Sequence, residues 1–156
     1  MATDGTESEV PLARLLAMAL RLLIDQLHQE LGEAGHPVRP AHGYALVAVG
    51  EDGTTASRLA AVLGITKQGT AKLVANLVEL GYVAREPHAE DGRARLLVLT
   101  GRGRSLLQES AAIQGRIEQE WARLVGDHGV HILRRSLERI VSEAHVGMFP
   151  PVRPVW

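Results

Sequence analysis

One face of a stretch near the middle of the chain carries hydrogen-bond donors without neighbouring acids. The residues of this face recur at helical spacing, and the first carboxylate after them is that of Glu79. Amide and amino groups in this arrangement can contact base edges in the major groove of duplex DNA. A face that is only solvated would more often mix both charges, so the pattern favours contact with DNA. The face comprises Lys67, Gln68, Ala71, Lys72, Ala75 and Asn76.

An arginine-rich segment follows this stretch. Residues 85–104 contain five arginines and three acids, which gives the segment a net charge of +2 in a chain whose formal net charge is -1. If the segment is a hairpin, Arg93 at its tip could enter the minor groove, where the negative potential is strongest. Arg95 could contact phosphates, and Asp91 is spaced to orient an arginine. A hairpin that only improves solubility is the alternative, but its position directly after the donor face favours DNA.

Other kinds of chemistry find little support among the residue types. The sequence has no cysteine, which excludes disulfides, thiolate metal sites and thiol switches in this chain. His128 and His131 are spaced to share a metal ion, but only Asp127 is a further ligand nearby. Glu118 and Glu120 lie two positions apart on a helical pattern, so they point to different sides. We therefore expect no metal, no cofactor and no enzymatic activity.

The donor face must be held at a fixed angle, and the residues before it predict a helix-turn-helix. Thr55 can cap a short helix over residues 57–63, and Gly64 suits the left-handed end of that helix. Thr66 can cap the next helix, which carries the donor face and ends at Gly81. The side chains expected to face inward are Leu59, Val62 and Leu63 from the first helix and Thr70, Leu73, Val74 and Leu77 from the second.

The remaining elements are predicted to be mostly helical. Hydrophobic residues make up 46% of the 156 residues but aromatic residues only 3%, which indicates a core of Leu, Val and Ala. The fold class is therefore mainly α with a small β-hairpin wing, a winged helix-turn-helix flanked by N- and C-terminal dimerisation helices. Further helices are expected over about residues 10–31 and 40–50, from about residue 100, and over 130–146, with a turn at 51–54 and wing strands at 82–86 and 96–100.

Apolar residues in the terminal helices exceed what one small fold can cover. One group forms a wide stripe between Leu12 and Ile24. We therefore expect a homodimer whose interface buries more than about 2,000 Å². The second group is Ile113, Ile117, Ile132, Leu133, Leu137 and Ile140.

The same residues argue against a membrane protein. The longest apolar run, residues 12–24, contains Arg14 and Arg21 and is too short to span a bilayer. The N-terminus lacks the basic region of a signal peptide, so a cytoplasmic location is expected. The predicted organisation is a disordered N-terminus (1–8), an N-terminal dimerisation helix (9–36), a winged helix-turn-helix DNA-binding domain (37–100), C-terminal dimerisation helices (101–146) and a Pro-rich tail (147–156).

Together these motifs resemble the MarR family of winged-helix transcriptional regulators. The resemblance rests on LAAVLGITKQGTAKLVANLVELGYV (59–83), on Asp91, Gly92 and Arg93, and on LLVLTGRGRSLL (96–107), in this order and spacing between long helices. It implies a homodimeric repressor in which each recognition helix and wing binds one half of a palindromic, double-stranded DNA operator. It also implies a small-molecule effector that releases the DNA. By the same resemblance, that effector would bind between the dimerisation helices and the winged domain, near His42 and Tyr44.

Three residues depart from the family pattern. Ala71 stands where Ser or Thr is common, Gly69 lies inside the recognition helix, and Gly92 replaces a residue that is often basic. The alternative function is a winged helix that docks a partner protein without binding DNA, which an apolar recognition face would favour. The residues expected to contact DNA are Thr66, Lys67, Gln68, Ala71, Lys72, Asn76, Asp91, Arg93 and Arg95.

Overall fold

Helices dominate the part of the chain that the computed structural model describes, residues 9–87 and 95–144. The boundaries of the first three helices and of both wing strands lie within two residues of those predicted. In chain order the elements are α1 (Leu12–Glu33), α2 (Pro40–Val49), β1 (Thr54–Thr55), α3 (Ala56–Leu63), α4 (Lys67–Glu79), β2 (Val83–Pro87), β3 (Arg95–Leu99) and α5 (Gly101–Ala144).

The three strands form one antiparallel sheet in the order β1-β3-β2. Strands β2 and β3 pair from Val83 opposite Leu99 to Pro87 opposite Arg95. Thr54, which was expected in a turn, instead pairs with Leu97 and adds a short third strand. The turn ends one residue earlier because Gly53, with φ +76°, redirects the chain onto the sheet, where a side chain would collide with the Leu97 carbonyl.

The core lies where α1, α2, α3, α4 and the start of α5 meet the sheet. Ile113 and Ile117 of α5 are buried in this core, so their expected place in a dimer interface is wrong. They face inward because the first half of α5 packs along α1, where Arg116 also pairs with Glu30. The largest fully buried side chains are Tyr82, Leu46, Leu59, Leu77, Leu97, Leu106, Ile117 and Thr70.

The inward faces of α3 and α4 agree with the sequence except at one position. Leu59 and Leu63 are buried, but Val62 is 47% exposed. Residues 59 and 63 lie one above the other on the helix and define its inner face, so Val62 falls at the edge of that face. There it borders a cavity beside α1 and α2.

The long C-terminal helix α5 is interrupted at Gly126, where φ is 80° and ψ is 156°. The second half resumes at Asp127, directly after this glycine, so the predicted start near Val130 is three residues late. A residue with a side chain rarely adopts a positive φ, and this favours glycine at the break. The chain from Val130 onward is helical as expected, but the helix already begins at the residue after Gly126.

Two surfaces of the single chain are apolar and exposed. In α1, Leu12 and Leu22 are each 68% exposed, and in the second half of α5 Ile140 is 62% exposed. Other exposed apolar residues are Leu15, Leu16, Met18 and Leu20 on α1, Leu124 and Val125 just before the break at Gly126, and Ile132, Leu133 and Leu137 after it. None of the helices in the described ranges is both long and apolar enough to cross a membrane.

Candidate nucleic-acid interface

Helix α4 presents the donor face because its opposite side is fixed in the core. Thr70, Val74 and Leu77 are buried, whereas Lys67, Gln68, Ala71, Lys72 and Ala75 are exposed. Since a helix turns about 100° per residue, burial of one stripe fixes the direction of the other. Lys67 and Lys72 are also the only lysines in the sequence, so every lysine of the chain lies on this one helix.

The N-terminus of α4 is capped as predicted. The Thr66 hydroxyl accepts a hydrogen bond from the backbone N–H of Gly69 at 3.1 Å, and Thr55 caps α3 in the same way through Arg58. A Cβ at position 69 would lie 3.2 Å from the Thr66 hydroxyl oxygen. Glycine at this position therefore leaves room for the cap, which offsets part of its low helix propensity.

The turn before α4 follows the sequence. Gly64 ends α3 in the left-handed conformation, with φ 63° and ψ 32°, and the Ile65 side chain packs against the core. The turn thus places the first exposed residues of α4 at a protruding corner. Thr66 is exposed at that corner beside Lys67 and Gln68.

Asn76, the last residue of the predicted DNA face, is half-buried and hydrogen-bonds the side chain of His42. His42 Nδ1 accepts the backbone N–H of Arg39 at 3.1 Å, which places the proton of the neutral ring on Nε2. Burial, more than any other influence, lowers the pKa of the His42 imidazole and keeps it neutral. Asn76 therefore connects α4 to the first turn of α2.

The wing is described at its base but not at its tip. Asp91 and Arg93 lie outside the described residues. Arg95 is exposed at the far end of β3, opposite Pro87, and Arg85 is exposed on β2. Both arginines lie on the hairpin that follows α4 in the chain.

Two further arginines of the wing segment bind the protein itself. Arg104 donates to the Leu99 carbonyl at 2.9 Å, and Arg102 donates to the Gly35 carbonyl at 3.1 Å. The Arg102 guanidinium also lies 5.0 Å from the centre of the Tyr82 ring. Arg102 and Arg104 thus hold the end of the hairpin against α5 and the loop between α1 and α2. Not all five arginines of residues 85–104 are therefore available to a partner.

A buried histidine joins the same three parts of the fold, and no motif or spacing in the sequence predicts these contacts. His36, only 6% exposed, contacts the Tyr82 hydroxyl through Nδ1 at 2.9 Å and the Glu109 carboxylate through Nε2 at 3.2 Å. Hydrogen bonds from Ser105 and then from His36 lower the pKa of the Glu109 carboxyl. This cluster connects the loop after α1, the start of the wing and α5.

The predicted effector residues fall on two sides of α2. Tyr44 lines a cavity of about 860 Å³ bounded by α1, α2, α3 and α5, whereas His42 does not line it and points to α4. Burial raises the pKa of the Tyr44 phenol.

The histidines do not assemble a metal centre within the described ranges, where no group of three or more candidate ligands comes together. His128 and His131 are both exposed on α5 just after Gly126. His28 is partly buried, and its Nδ1 lies 2.8 Å from the Ile24 carbonyl oxygen of the preceding turn.

Comparisons with known proteins agree with this geometry. A family model described as the MarR family matches residues 36–94. An uncharacterized HTH-type transcriptional regulator of Mycobacterium leprae is 29% identical over 116 residues, which cover 74% of this chain and 77% of that relative.

Solved structures share the fold over most of the chain. Wild-type MarR from E. coli matches with a TM-score of 0.68 and 23% identity, covering 85% of this chain and 98% of that one. MepR from S. aureus matches with 0.68 and 19%, covering 87% and 100%. A MepR variant bound to an oligodeoxyribonucleotide matches with 0.62 and 21%, covering 88% and 100%. At these identities the likeness confirms the predicted winged-helix fold class.

Proposed function

We propose that the chain is a MarR-family regulator, a homodimeric repressor of transcription that a small-molecule effector releases from a palindromic operator. The observation that carries the proposal is the exposed face of α4. Lys67, Gln68 and Lys72 project from a helix whose other side is locked into the core. This is the arrangement that major-groove readout requires.

The proposed DNA contacts divide by chemistry. Gln68 can read a base edge through its amide, whereas the lysines act as positive charges towards phosphates. Arg95 and Arg93 of the wing would add phosphate and minor-groove contacts. Asn76 differs from the others because its side chain is engaged with His42, so its contribution is to hold α4 in place.

The dimer is supported by the exposed apolar surfaces of α1 and of the second half of α5. Surfaces with residues as exposed as Leu12, Leu22 and Ile140 are costly in water at about 25 cal/mol per Å² of apolar area. A second copy would cover both, because in a twofold interface the same patches meet. Two copies of α4 would then face half-sites about one helical turn, roughly 10 bp, apart.

Release by an effector is supported by the position of α2. One side of this helix lines the cavity through Gly43 and Tyr44, and the other binds α4 through His42. An effector weakens DNA binding only if it prefers the form that binds DNA poorly. A tenfold loss of operator affinity needs a difference of about 1.4 kcal/mol between the two forms.

Because both lysines lie on α4, amine-specific labelling tests the interface directly. Operator duplexes would first be selected from a random DNA pool with the full-length protein. The complex and the free protein would then be acetylated briefly with acetic anhydride and analysed by mass spectrometry. We expect DNA to protect Lys67 and Lys72, while the N-terminal amine, as internal control, reacts equally in both samples. Equal acetylation of both lysines with DNA fully bound would refute the assignment of α4 as the reading helix.

A further inference from the structure

The cavity between the helices is large enough for a small molecule, and a single chain supplies its lining. Its volume is about 860 Å³, and α1, α2, α3 and α5 of the same protomer form its walls. Ligand sites in proteins commonly measure about 300–1,000 Å³ and are mostly apolar with a few polar groups. One wall, α1, also carries Leu20, which belongs to the exposed apolar surface of the proposed dimer.

The lining contains no charged side chain among the described residues. Leucine, isoleucine, valine and alanine dominate it, and its polar side chains are His28, Tyr44, Ser110 and Gln114. Gln114 donates to the Ser110 hydroxyl at 3.0 Å. No lysine or arginine of the described chain borders the cavity, so a carboxylate or phosphate would meet no permanently charged cation there.

The polar groups that are present suit an uncharged partner. His28 Nδ1 lies 2.8 Å from a carbonyl oxygen, which can only accept, so Nδ1 carries the proton and Nε2 is an acceptor in the neutral ring. The raised pKa of Tyr44 has burial as its cause, which indicates that this wall disfavours negative charge. An ion transferred from water into such surroundings without a counter-charge loses solvation that the protein does not replace.

We propose that this cavity binds an uncharged, mostly apolar small molecule with at most a few hydrogen-bonding groups, and that it rejects the anionic form of the same skeleton. The inference rests on the proposed function, whose effector it assigns to a chemical class. It also decides between two kinds of small-molecule effector that the family resemblance leaves open, neutral molecules and anions.

Three probes with one skeleton test the charge preference. Naphthalene-2-carboxamide, its methyl ester analogue and naphthalene-2-carboxylate would be titrated into the full-length, DNA-free protein at pH 7.5 by calorimetry. We expect the amide and the ester to bind with similar affinity and the carboxylate to bind at least about tenfold more weakly. Carboxylate binding as tight as that of the amide would overturn the proposal, as would no binding by any probe, which would mean that a second copy fills the cavity.

A substitution that fills the cavity tests whether the amide binds there. Gly43 lies on α2 in the cavity wall, and a Cβ there would meet no heavy atom within 4 Å. Gly43→Leu should therefore occupy the cavity and abolish amide binding without loss of helical circular dichroism. Gly32→Leu is the matched control, since Gly32 is helical, exposed, equally unobstructed and outside the cavity. Amide binding unchanged in Gly43→Leu would refute this site.

The same probes separate this inference from the proposed function. Operator DNA would be bound first, and its fluorescence anisotropy followed as the amide is added. Binding of the amide with release of DNA supports both. Binding without release supports the ligand class and contradicts the regulatory role of the cavity. Tight carboxylate binding that releases DNA contradicts the ligand class and leaves the effector-controlled regulator intact.

Discussion

Gly103 offers the sharpest test of how the wing is attached to the long helix. It is buried in the first turn of α5, and its N–H donates to the Thr100 hydroxyl at 3.1 Å. A Cβ at this position would lie 3.2 Å from the carbonyl carbon of Tyr82 and much closer still to the carbonyl oxygen. That oxygen is fixed, because it accepts the N–H of Thr100 at 3.0 Å. Gly103→Ala must therefore move backbone.

The size of the effect follows from two opposing contributions. Alanine gains about 1 kcal/mol over glycine in a helix interior. Overpacking costs about 1–3 kcal/mol. The crowded atom here belongs to the backbone and cannot move away by changing a rotamer, so we expect the cost of Gly103→Ala at or above the upper end of this range. The net loss in the free energy of unfolding is then about 2 kcal/mol. For a chain of this length the melting temperature falls by about 2–4 °C per kcal/mol, hence by about 4–8 °C.

Thermal unfolding followed by circular dichroism measures this loss, at one fixed protein concentration because dimer stability depends on concentration. Gly101→Ala is the matched control, since a Cβ at Gly101 meets no heavy atom within 4 Å and belongs to the same helix turn. We expect the control to melt at or slightly above the temperature of the unchanged protein. If Gly103→Ala and the control have the same melting temperature, the close approach of α5 to Tyr82 does not constrain the fold and the reasoning fails.

Three further predictions concern DNA binding and pH. Gln68→Ala should lose about 1–3 kcal/mol of discrimination at one base position, whereas Lys67→Ala should weaken binding to all sequences. The control Arg123→Ala removes a charge from the exposed surface of α5 and should change neither base discrimination nor overall affinity. Competition between operator variants distinguishes these three results. Arg95→Ala should reduce the slope of log affinity against log salt by about one per chain, and an unchanged slope would show that the wing base does not touch phosphate. Because burial lowers the pKa of His42 below 6.5, the unfolded chain binds a proton where the folded chain does not. His42 therefore contributes stability that is full above about pH 6.5 and declines as the pH falls below it, and His42→Gln should flatten this part of the stability profile in denaturant titrations.

Local signals in the sequence predicted the helix-turn-helix well. Thr55, Thr66 and Gly64 adopt the cap and turn roles expected of their types, because these roles depend on bonds to residues three or four positions away. The buried face of α4 could be predicted for the same reason, because the helical repeat of its apolar residues determines which side of the helix is buried. Val62 shows the limit, because a position at the edge of a face is decided by which helices lie beside it.

Contacts between distant segments could not be predicted. His36 and Tyr82 are 46 positions apart, and Arg102 reaches back 67 positions to Gly35. No periodicity links such pairs, so the sequence does not predict the cluster of His36, Tyr82 and Glu109. For the same reason, the net charge of residues 85–104 includes Arg102 although its guanidinium binds the protein itself. The same applies to Asn76, whose type and spacing suit DNA but whose neighbour across the fold is His42. Ile113 and Ile117 were misplaced because apolar residues look alike whether they cover a chain's own core or a partner.

The break at Gly126 gives the first half of α5 a defined length, and this has a mechanical consequence. At about 1.5 Å per residue, the helix from Gly101 to the break spans roughly 37 Å. Its base packs against the Tyr82 carbonyl at Gly103. By simple trigonometry on that length, a tilt of about 5° at the base would displace the far end by about 3 Å. In the proposed dimer, two copies of α4 would face half-sites about 34 Å apart, so a displacement of this size would change their fit to one operator. We therefore expect substitutions at Gly103 to alter DNA affinity although residue 103 itself does not contact DNA.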